Sequence, residues 1–263
     1  MSQASANVNV MIKAARKAAR SLLRDFGEVE NLQVSSKGPG DFVSKADIKA
    51  EQLIREELTE ARPNYGWLGE ESVEVKGADP TRRWIVDPLD GTTNFLHGMP
   101  HWSISIGLEH KGEIVAGVIY DPVKDEMFVA EKGAGAYLND RRLRVSGRKD
   151  IGEMIFGIGM PFSASTLLAP ALREMAAVAP ISAGIRRLGS SALDLAYVAA
   201  GRLDGWWERG NKPWDIAAGI LLVREAGGFT GPLDEGGDVF GAGGMVAGNA
   251  NVFEPLTKLL RAA

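Results

Sequence analysis

The sequence contains no cysteine among its 263 residues, so it can form neither a disulfide nor a thiolate metal site or nucleophile. A reducing, cytoplasmic setting is the expectation that follows. A strong charge of one sign is also missing, since the formal net charge is −4 at pH 7. No apolar run approaches the roughly 20 residues needed to span a bilayer. The sequence therefore predicts neither a membrane protein nor a nucleic-acid-binding protein.

The chain does have enough apolar content for a sizeable core, with 45% apolar and 24% charged residues. Its basic, Ala-rich N-terminal segment lacks the uninterrupted apolar stretch of a signal peptide. Apolar residues recur there at helical spacing: Val8, Met11, Ile12, Ala15, Ala19, Leu22 and Phe26. This spacing predicts a core-packing helix rather than a transit peptide or a membrane-surface helix.

The pattern of predicted elements changes along the chain. Residues 102–145 alternate between apolar and polar positions, with turn residues between the runs, which predicts an antiparallel meander. The second half instead alternates helical and extended patterns, including a helix near residues 164–178. We therefore predict an α+β fold in which helices and sheets form interleaved layers.

The stretch "RRWIVDPLDGTTNF", residues 82–95, ends an apolar strand on Asp87, followed three residues later by Asp90. Two like charges held close together are costly unless they share a proton or a cation. Gly91 allows a ligand to approach the backbone closely. A helix start capped by Asp90 or Thr92 is the plainer interpretation, and it is compatible with phosphate binding at the free N–H groups.

Other acids stand at predicted element boundaries. Glu70 and Glu71 follow Gly69 in "GEES", and adjacent glutamates are usually a solvated turn. Asp215 begins "WDIAAGILLVREAGG", where an N-cap is the simplest role. Taken together, several carboxylates with no nearby Cys or His favour a hard cation such as Mg²⁺ or Mn²⁺.

The segments "GEES", "WIVDPLDGTTNF" and "WDIAAGILLVREAGG", in this order, resemble those of the inositol monophosphatase family of Mg²⁺-dependent, lithium-sensitive phosphatases. The resemblance implies a layered α-β-α-β-α sandwich of the inositol monophosphatase and fructose-1,6-bisphosphatase type, normally a homodimer. It implies one domain, 1–263. The N-terminal α+β half, about 1–150, would carry the metal site, and the C-terminal α/β half, about 151–263, would complete it.

The resemblance also implies roles for individual residues. Two or three Mg²⁺ ions per site, with Mn²⁺ as a substitute, would be held by Glu70, Asp87, the Leu89 carbonyl, Asp90 and Asp215. Asp87 would bridge two of these ions. Glu70 and Thr92 would orient the attacking water, with Asp47 supporting Thr92.

The implied substrate site has a phosphate part and a polyol part. Asp90 and the N–H groups of Gly91 and Thr92 would form the phosphate part. The polyol part would be formed by Glu208, which accepts hydrogen bonds from substrate hydroxyls, and by Gly189, Ser190 and Ser191. Lys37 would lie in a mobile loop over the metals.

The expected reaction is hydrolysis of myo-inositol 1-phosphate and related monoesters by metal-activated water, with Li⁺ as an inhibitor. Fructose 1,6-bisphosphate, histidinol phosphate and 3′-phosphoadenosine 5′-phosphate are alternative substrates. A mainly partner-binding or regulatory protein on the same scaffold is the alternative from another class. His97 and His101 are not expected to bind the metal, because Mg²⁺ prefers oxygen ligands. The tryptophans near Glu208 are expected in the core or the pocket wall.

Overall fold

The computed structural model describes residues 5–26, 34–38, 41–161, 166–240 and 244–263. The short strands β1 (Val34–Gly38) and β2 (Asp41–Ser44) are described for their backbone, and they form an antiparallel hairpin. Among the described residues, every helix is too short or too polar to span a bilayer.

The larger sheet has seven strands that follow one another in space as they do in sequence. Its strands are β3 (Tyr65–Gly69), β4 (Asp79–Asp90), β5 (Ser103–His110), β6 (Glu113–Asp121), β7 (Glu126–Glu131), β8 (Gly135–Leu138) and β9 (Arg141–Arg142). Strands β3 and β4 are parallel and the later neighbours are antiparallel, so the predicted meander over 102–145 is confirmed.

The smaller sheet has five strands in the order β11-β10-β12-β14-β13. They are β10 (Ile155–Ile158), β11 (Gly184–Arg186), β12 (Gly205–Glu208), β13 (Phe229–Pro232) and β14 (Met245–Gly248). The two edge strands, β11 and β13, were not predicted. Each is short and contains glycine, and β13 also contains proline, so neither shows a strand pattern in the sequence.

Seven helices are described: α1 (Ala6–Phe26), α2 (Lys45–Ala61), α3 (Thr92–Leu96), α4 (Leu168–Val178), α5 (Ser191–Ala199), α6 (Pro213–Glu225) and α7 (Phe253–Ala262). The helix predicted from residue 164 thus begins at Leu168, and residues 162–165 lie outside the described part of the chain.

Three buried apolar clusters define the layers. The first joins α1 and α2 to one face of the seven-stranded sheet. The second fills the space between the two sheets with α5 and α6. The third packs α4 and α7 on the outer face of the five-stranded sheet. The order is therefore α-β-α-β-α, which confirms the predicted α+β layered fold.

The N-terminal helix packs as predicted: Val8, Met11, Ala15, Ala19 and Leu22 are buried against the sheet, with Ile12 and Phe26 half-buried beside them. On the other face of the same sheet, α6 lies very close to β5 and β6. A Cβ atom at Gly107 would lie 3.0 Å from Ala217 Cβ, and one at Gly117 would lie 2.9 Å from the Ala218 carbonyl oxygen. Glycine at these positions lets the helix rest on the backbone of the sheet.

Candidate active site

The carboxyl ends of β3 and β4 bring the first predicted acids together. The two strands are parallel, with Gly69 opposite Val86, and the Glu70 N–H donates to the Val86 carbonyl at 3.1 Å. Glu70 and Asp87 therefore leave neighbouring strands at the same edge of the sheet. The carboxyl ends of parallel strands are common ligand sites in α/β proteins.

An irregularity in β4 explains how Asp87 and Asp90 share a face. Side chains three residues apart on a regular strand point to opposite faces. Here Asp87 pairs with Ser105 and Asp90 pairs with Ser103, so three residue steps on β4 match two on β5. This extra residue, in the manner of a β-bulge, turns both aspartates to the face of the sheet that carries Ser103 and Ser105.

Asp87 is almost fully buried, and its Oδ1 accepts the Leu89 N–H at 2.9 Å. Burial is the main cause that raises the pKa of Asp87 well above its usual range, followed by the negative charges of Glu70 and Asp90. The costly pair of like charges expected from the sequence is therefore present. A shared proton or a cation relieves such a charge cluster.

Asp90 binds the N-terminus of α5. Its Oδ2 accepts the Ala192 N–H at 2.8 Å and the hydroxyl proton of Ser190, which is the N-cap of that helix. Burial raises the pKa of Asp90 to about 6, against the lowering effect of these donors. The carboxylate thus ties the end of β4 to a helix from the second half of the chain.

Thr92 and Asp47 lie together, as predicted. The Thr92 hydroxyl oxygen lies 3.0 Å from Asp47 Oδ1 and 3.0 Å from the Leu89 carbonyl oxygen, and its single proton can serve one of them at a time. Asp47 is fully buried on α2. Gly91 precedes α3 with φ 94°, a left-handed conformation that suits glycine, so neither Asp90 nor Thr92 is the N-cap of α3.

Asp215 reaches the same site from α6. It is not the N-cap, contrary to the simplest prediction. Lys212 holds that position, and Asp215 Oδ2 accepts the Lys212 N–H at 2.7 Å from the third helical position. Burial raises the pKa of Asp215 well above its usual range, and the charges of Glu208 and Asp90 add to this effect.

A cavity of about 280 Å³ lies beside these acids. Its lining contains all seven predicted substrate residues, together with Asp215: Asp90, Gly91, Thr92, Gly189, Ser190, Ser191 and Glu208. Ser191 Oγ donates to Glu208 Oε2. Burial raises the pKa of Glu208 to about 7, with Ser191 lowering it and Asp90 raising it.

A glycine makes room for Glu208. Strands β10 and β12 are parallel with Ile158 opposite Trp207, and the Gly159 N–H donates to the Trp207 carbonyl at 3.0 Å. Gly159 therefore lies beside Glu208 at the next position of the register. A Cβ atom at Gly159 would overlap the Glu208 carboxyl group.

The donor set suits a hard cation, because its members are carboxylate and carbonyl oxygens from Glu70, Asp87, Leu89, Asp90 and Asp215. Neighbouring carboxylates contribute to the raised pKa values of Asp87 and Asp215, and a cation would relieve this repulsion. Within the described residues, no group of three or more His, Asp or Glu side chains has the arrangement of a ready metal site. The individual metal ligands stay a prediction.

Other predicted residues lie as follows. Trp206 and Trp207 are fully buried, as expected for core residues. His97 is exposed, and the ring of His101 contacts the ring of Tyr197 edge-on at 5.8 Å. Lys37 is in β1, and its side chain lies outside the described residues.

Sequence reasoning missed three residues at the site. The Asn94 side chain is buried and donates to the carbonyls of His101 and Leu188, each at 2.8 Å, which links α3 to the segment before Gly189. Asp194 and Arg187 line the cavity. Asn94 follows the two threonines of the stretch "RRWIVDPLDGTTNF", but no periodic signal marks Arg187 or Asp194.

Comparison with known proteins agrees with this architecture. The family model described as "Inositol monophosphatase family" matches residues 4–263. The structure of the extragenic suppressor protein SuhB from Bartonella henselae superimposes with a TM-score of 0.94 at 54% identity, covering 98% of this chain and 99% of that one.

Two curated relatives carry different names. An inositol-1-monophosphatase from Rhizobium meliloti is 56% identical over 98% of this chain and 97% of its own length. A Nus factor SuhB from Pseudomonas aeruginosa is 42% identical over 95% of this chain and 93% of its own length. The chain belongs to the inositol monophosphatase family. It is accordingly a phosphoric monoester hydrolase, in a family that is generally metal-dependent.

Proposed function

We propose that this enzyme hydrolyses myo-inositol 1-phosphate and related inositol monophosphates with two or three Mg²⁺ ions per site. The observation that carries the proposal is the position of Glu208. Its carboxyl group lines the same cavity as Asp90 and Thr92, so a hydroxyl-rich leaving group and a phosphate can be bound side by side. The curated relative named inositol-1-monophosphatase supports this substrate.

The proposed ligands of the ions are Glu70, Asp87, the Leu89 carbonyl, Asp90 and Asp215, which belong to the donor class that Mg²⁺ prefers. When bound, Mg²⁺ supplies charge that activates a water molecule and stabilises the charge developing on the phosphoryl group.

The chain's own groups have distinct tasks in this proposal. When the Thr92 hydroxyl donates to Asp47, a lone pair of its oxygen is left to accept a hydrogen bond from the attacking water. Glu70 accepts the proton of that water. The N–H groups of Gly91 and Thr92 donate to phosphate oxygens, and Glu208 accepts hydrogen bonds from the polyol, within a wall formed by Gly189, Ser190 and Ser191.

The test is phosphate release from myo-inositol 1-phosphate with Mg²⁺, beside fructose 1,6-bisphosphate, histidinol phosphate and 3′-phosphoadenosine 5′-phosphate, each with and without Li⁺. We expect a clear preference for the inositol ester, inhibition by Li⁺, and loss of turnover in Asp90→Asn. Preference for another substrate would retain the phosphatase and overturn the assigned role of Glu208.

Partner binding is the second candidate function, because the relative from Pseudomonas aeruginosa is named as a Nus factor rather than as a phosphatase. A folded protein that binds Mg²⁺ but turns over none of the four esters would favour this candidate.

Several further expectations belong to the same proposal. They are a homodimer, a cytoplasmic location, Mn²⁺ as a substitute metal, closure over the metals of the segment that carries Lys37, and a division of the single domain near residue 150. The seven-stranded sheet ends before that residue and the five-stranded sheet begins after it. Light scattering of the purified chain tests the dimer.

A further inference from the structure

Glu51 is a buried acid to which the proposed mechanism gives no task. It lies on α2 four residues after Asp47, so the two side chains leave the same face of the helix. Glu51 is 4% exposed and Asp47 is 0% exposed. Carboxylates are buried this deeply when they have specific partners, so the partners of Glu51 indicate its role.

The partner of Glu51 is the backbone that follows Glu70. Glu51 Oε2 accepts the Glu71 N–H at 2.8 Å. Gly69 provides the space for this contact, because a Cβ atom there would lie 2.5 Å from Glu51 Oε2 and 2.6 Å from Trp67 Nε1. A hydrogen bond from a backbone N–H to a carboxylate is stronger than one between neutral groups.

One helix therefore contacts Thr92 and the peptide group that joins Glu70 to Glu71. Asp47 accepts from the Thr92 hydroxyl, and Glu51, one turn further along, holds the peptide group that follows Glu70. We propose that Glu51 is a positioning residue that fixes Glu70 relative to Thr92 through the Glu71 N–H. This inference rests on the proposed role of Glu70 in the reaction.

Losing the contact between Glu51 and the Glu71 N–H would displace Glu70 but would not remove it. Misplacement of a reacting group by about 1 Å can lower a rate by about 100-fold. Glu51 contacts the Glu71 N–H and does not line the cavity. We therefore expect kcat to fall while KM stays within about twofold.

Two conservative substitutions at Glu51 distinguish the effect of side-chain length from the effect of charge. Glu51→Gln keeps the length and an accepting oxygen but removes the charge, whereas Glu51→Asp keeps the charge but shortens the side chain by one methylene. A positioning role predicts that Glu51→Gln retains most of kcat and that Glu51→Asp loses about tenfold. Glu56→Asp, on the exposed face of the same helix, is the matched control and should behave as wild type.

The second readout is amide hydrogen exchange over residues 69–72 in the metal-free full-length protein. A hydrogen bond protects an amide from exchange, so Glu51→Asp should exchange faster there and Glu51→Gln should stay close to wild type. This measurement does not depend on turnover. If the wild-type protein hydrolyses none of the esters, the proposed function fails while the contact made by Glu51 is still tested.

Unchanged exchange in Glu51→Asp would overturn the inference, and so would a Glu51→Gln variant slower than Glu51→Asp. If Glu51→Asp does not fold, Gly69→Ala is the second variant, because its methyl group would displace the carboxylate of an intact Glu51. It should then show the same faster exchange and the same loss of kcat. A Gly69→Ala variant with wild-type exchange and kcat would also overturn the inference.

Discussion

The candidate site is lined by two groups of side chains that the fold assembles in different ways. The reaction side comes from residues 47–92, where α2 and the ends of β3 and β4 meet. The substrate side comes from residues 189–208, contributed by the segment before α5, the start of that helix and β12. The first group lies around one continuous motif, whereas the second depends on long-range packing between the two sheets.

The two groups also differ in the backbone feature that allows their side chains to enter the site. On the reaction side an extra residue in β4 turns Asp87 and Asp90 to one face of the sheet. On the substrate side the strands are in regular register, and Gly159 leaves the space that Glu208 occupies. We therefore expect changes in the first group to act on the chemical step and changes in the second group to act on substrate binding.

The largest expected effect is on the reaction side. Thr92→Val keeps the volume of the side chain but removes the hydroxyl that is proposed to link Asp47 to the attacking water, so we expect kcat to fall by about 100-fold. Thr92→Ser keeps the hydroxyl and should retain most of the activity. Steady-state kinetics with the inositol ester would check this, and equal losses in the two variants would contradict the assigned role.

A smaller effect is expected on the substrate side. Gly159→Ala should displace the Glu208 carboxyl group and raise KM for the inositol ester by about tenfold, with little change in kcat. The control is the same substitution in a Glu208→Ala background, where the space is already free. If Gly159→Ala raises KM equally in that background, it acts on the substrate directly and not through Glu208.

The smallest effect concerns His101, whose ring contacts the ring of Tyr197 of α5. Its Nε2 atom is buried without a hydrogen-bond partner in the described part of the chain. Burial, aided by the charge of Lys124 and opposed by that of Asp121, lowers the pKa of His101 to about 4. The unfolded chain therefore binds more protons than the folded chain between about pH 6.5 and pH 4, and stability falls as the pH is lowered through this range.

His101→Phe keeps an aromatic ring against Tyr197 and cannot titrate. Its free energy of unfolding should fall by about 1–2 kcal/mol less than that of the wild type between pH 6.5 and pH 4. Raised pKa values of Asp194 and Glu208 act in the opposite sense, so the difference between the two proteins is the quantity to measure. Urea unfolding at several pH values gives it, and parallel curves would contradict the prediction.

The sequence predicted the reaction side more fully than the substrate side, for physical reasons. Asp87, Asp90 and Thr92 follow an apolar strand directly, so their placement is a local property of the motif. The edge strands β11 and β13 are short and exist because they pair with distant partners. Their patterns carry no local signal.

Two residues that the sequence analysis did not single out differ in whether local spacing could have identified them. Glu51 had such a signal, because an acid four residues after Asp47 on a predicted helix lies on the same face. Arg187 had none, because it directly follows the short edge strand β11, whose position depends on pairing with the distant strand β10.

The close contact of α6 with the sheet has a consequence for attempts to alter this enzyme. Asp215 lies in the first turn of that helix. The helix packs directly against Gly107 and Gly117, which have no side chain to hold it further away. A methyl group at either position would lift the helix and carry Asp215 away from the other acids. Substitutions at Gly107 or Gly117 would then lower the activity of the enzyme, although neither residue lines the candidate active-site cavity.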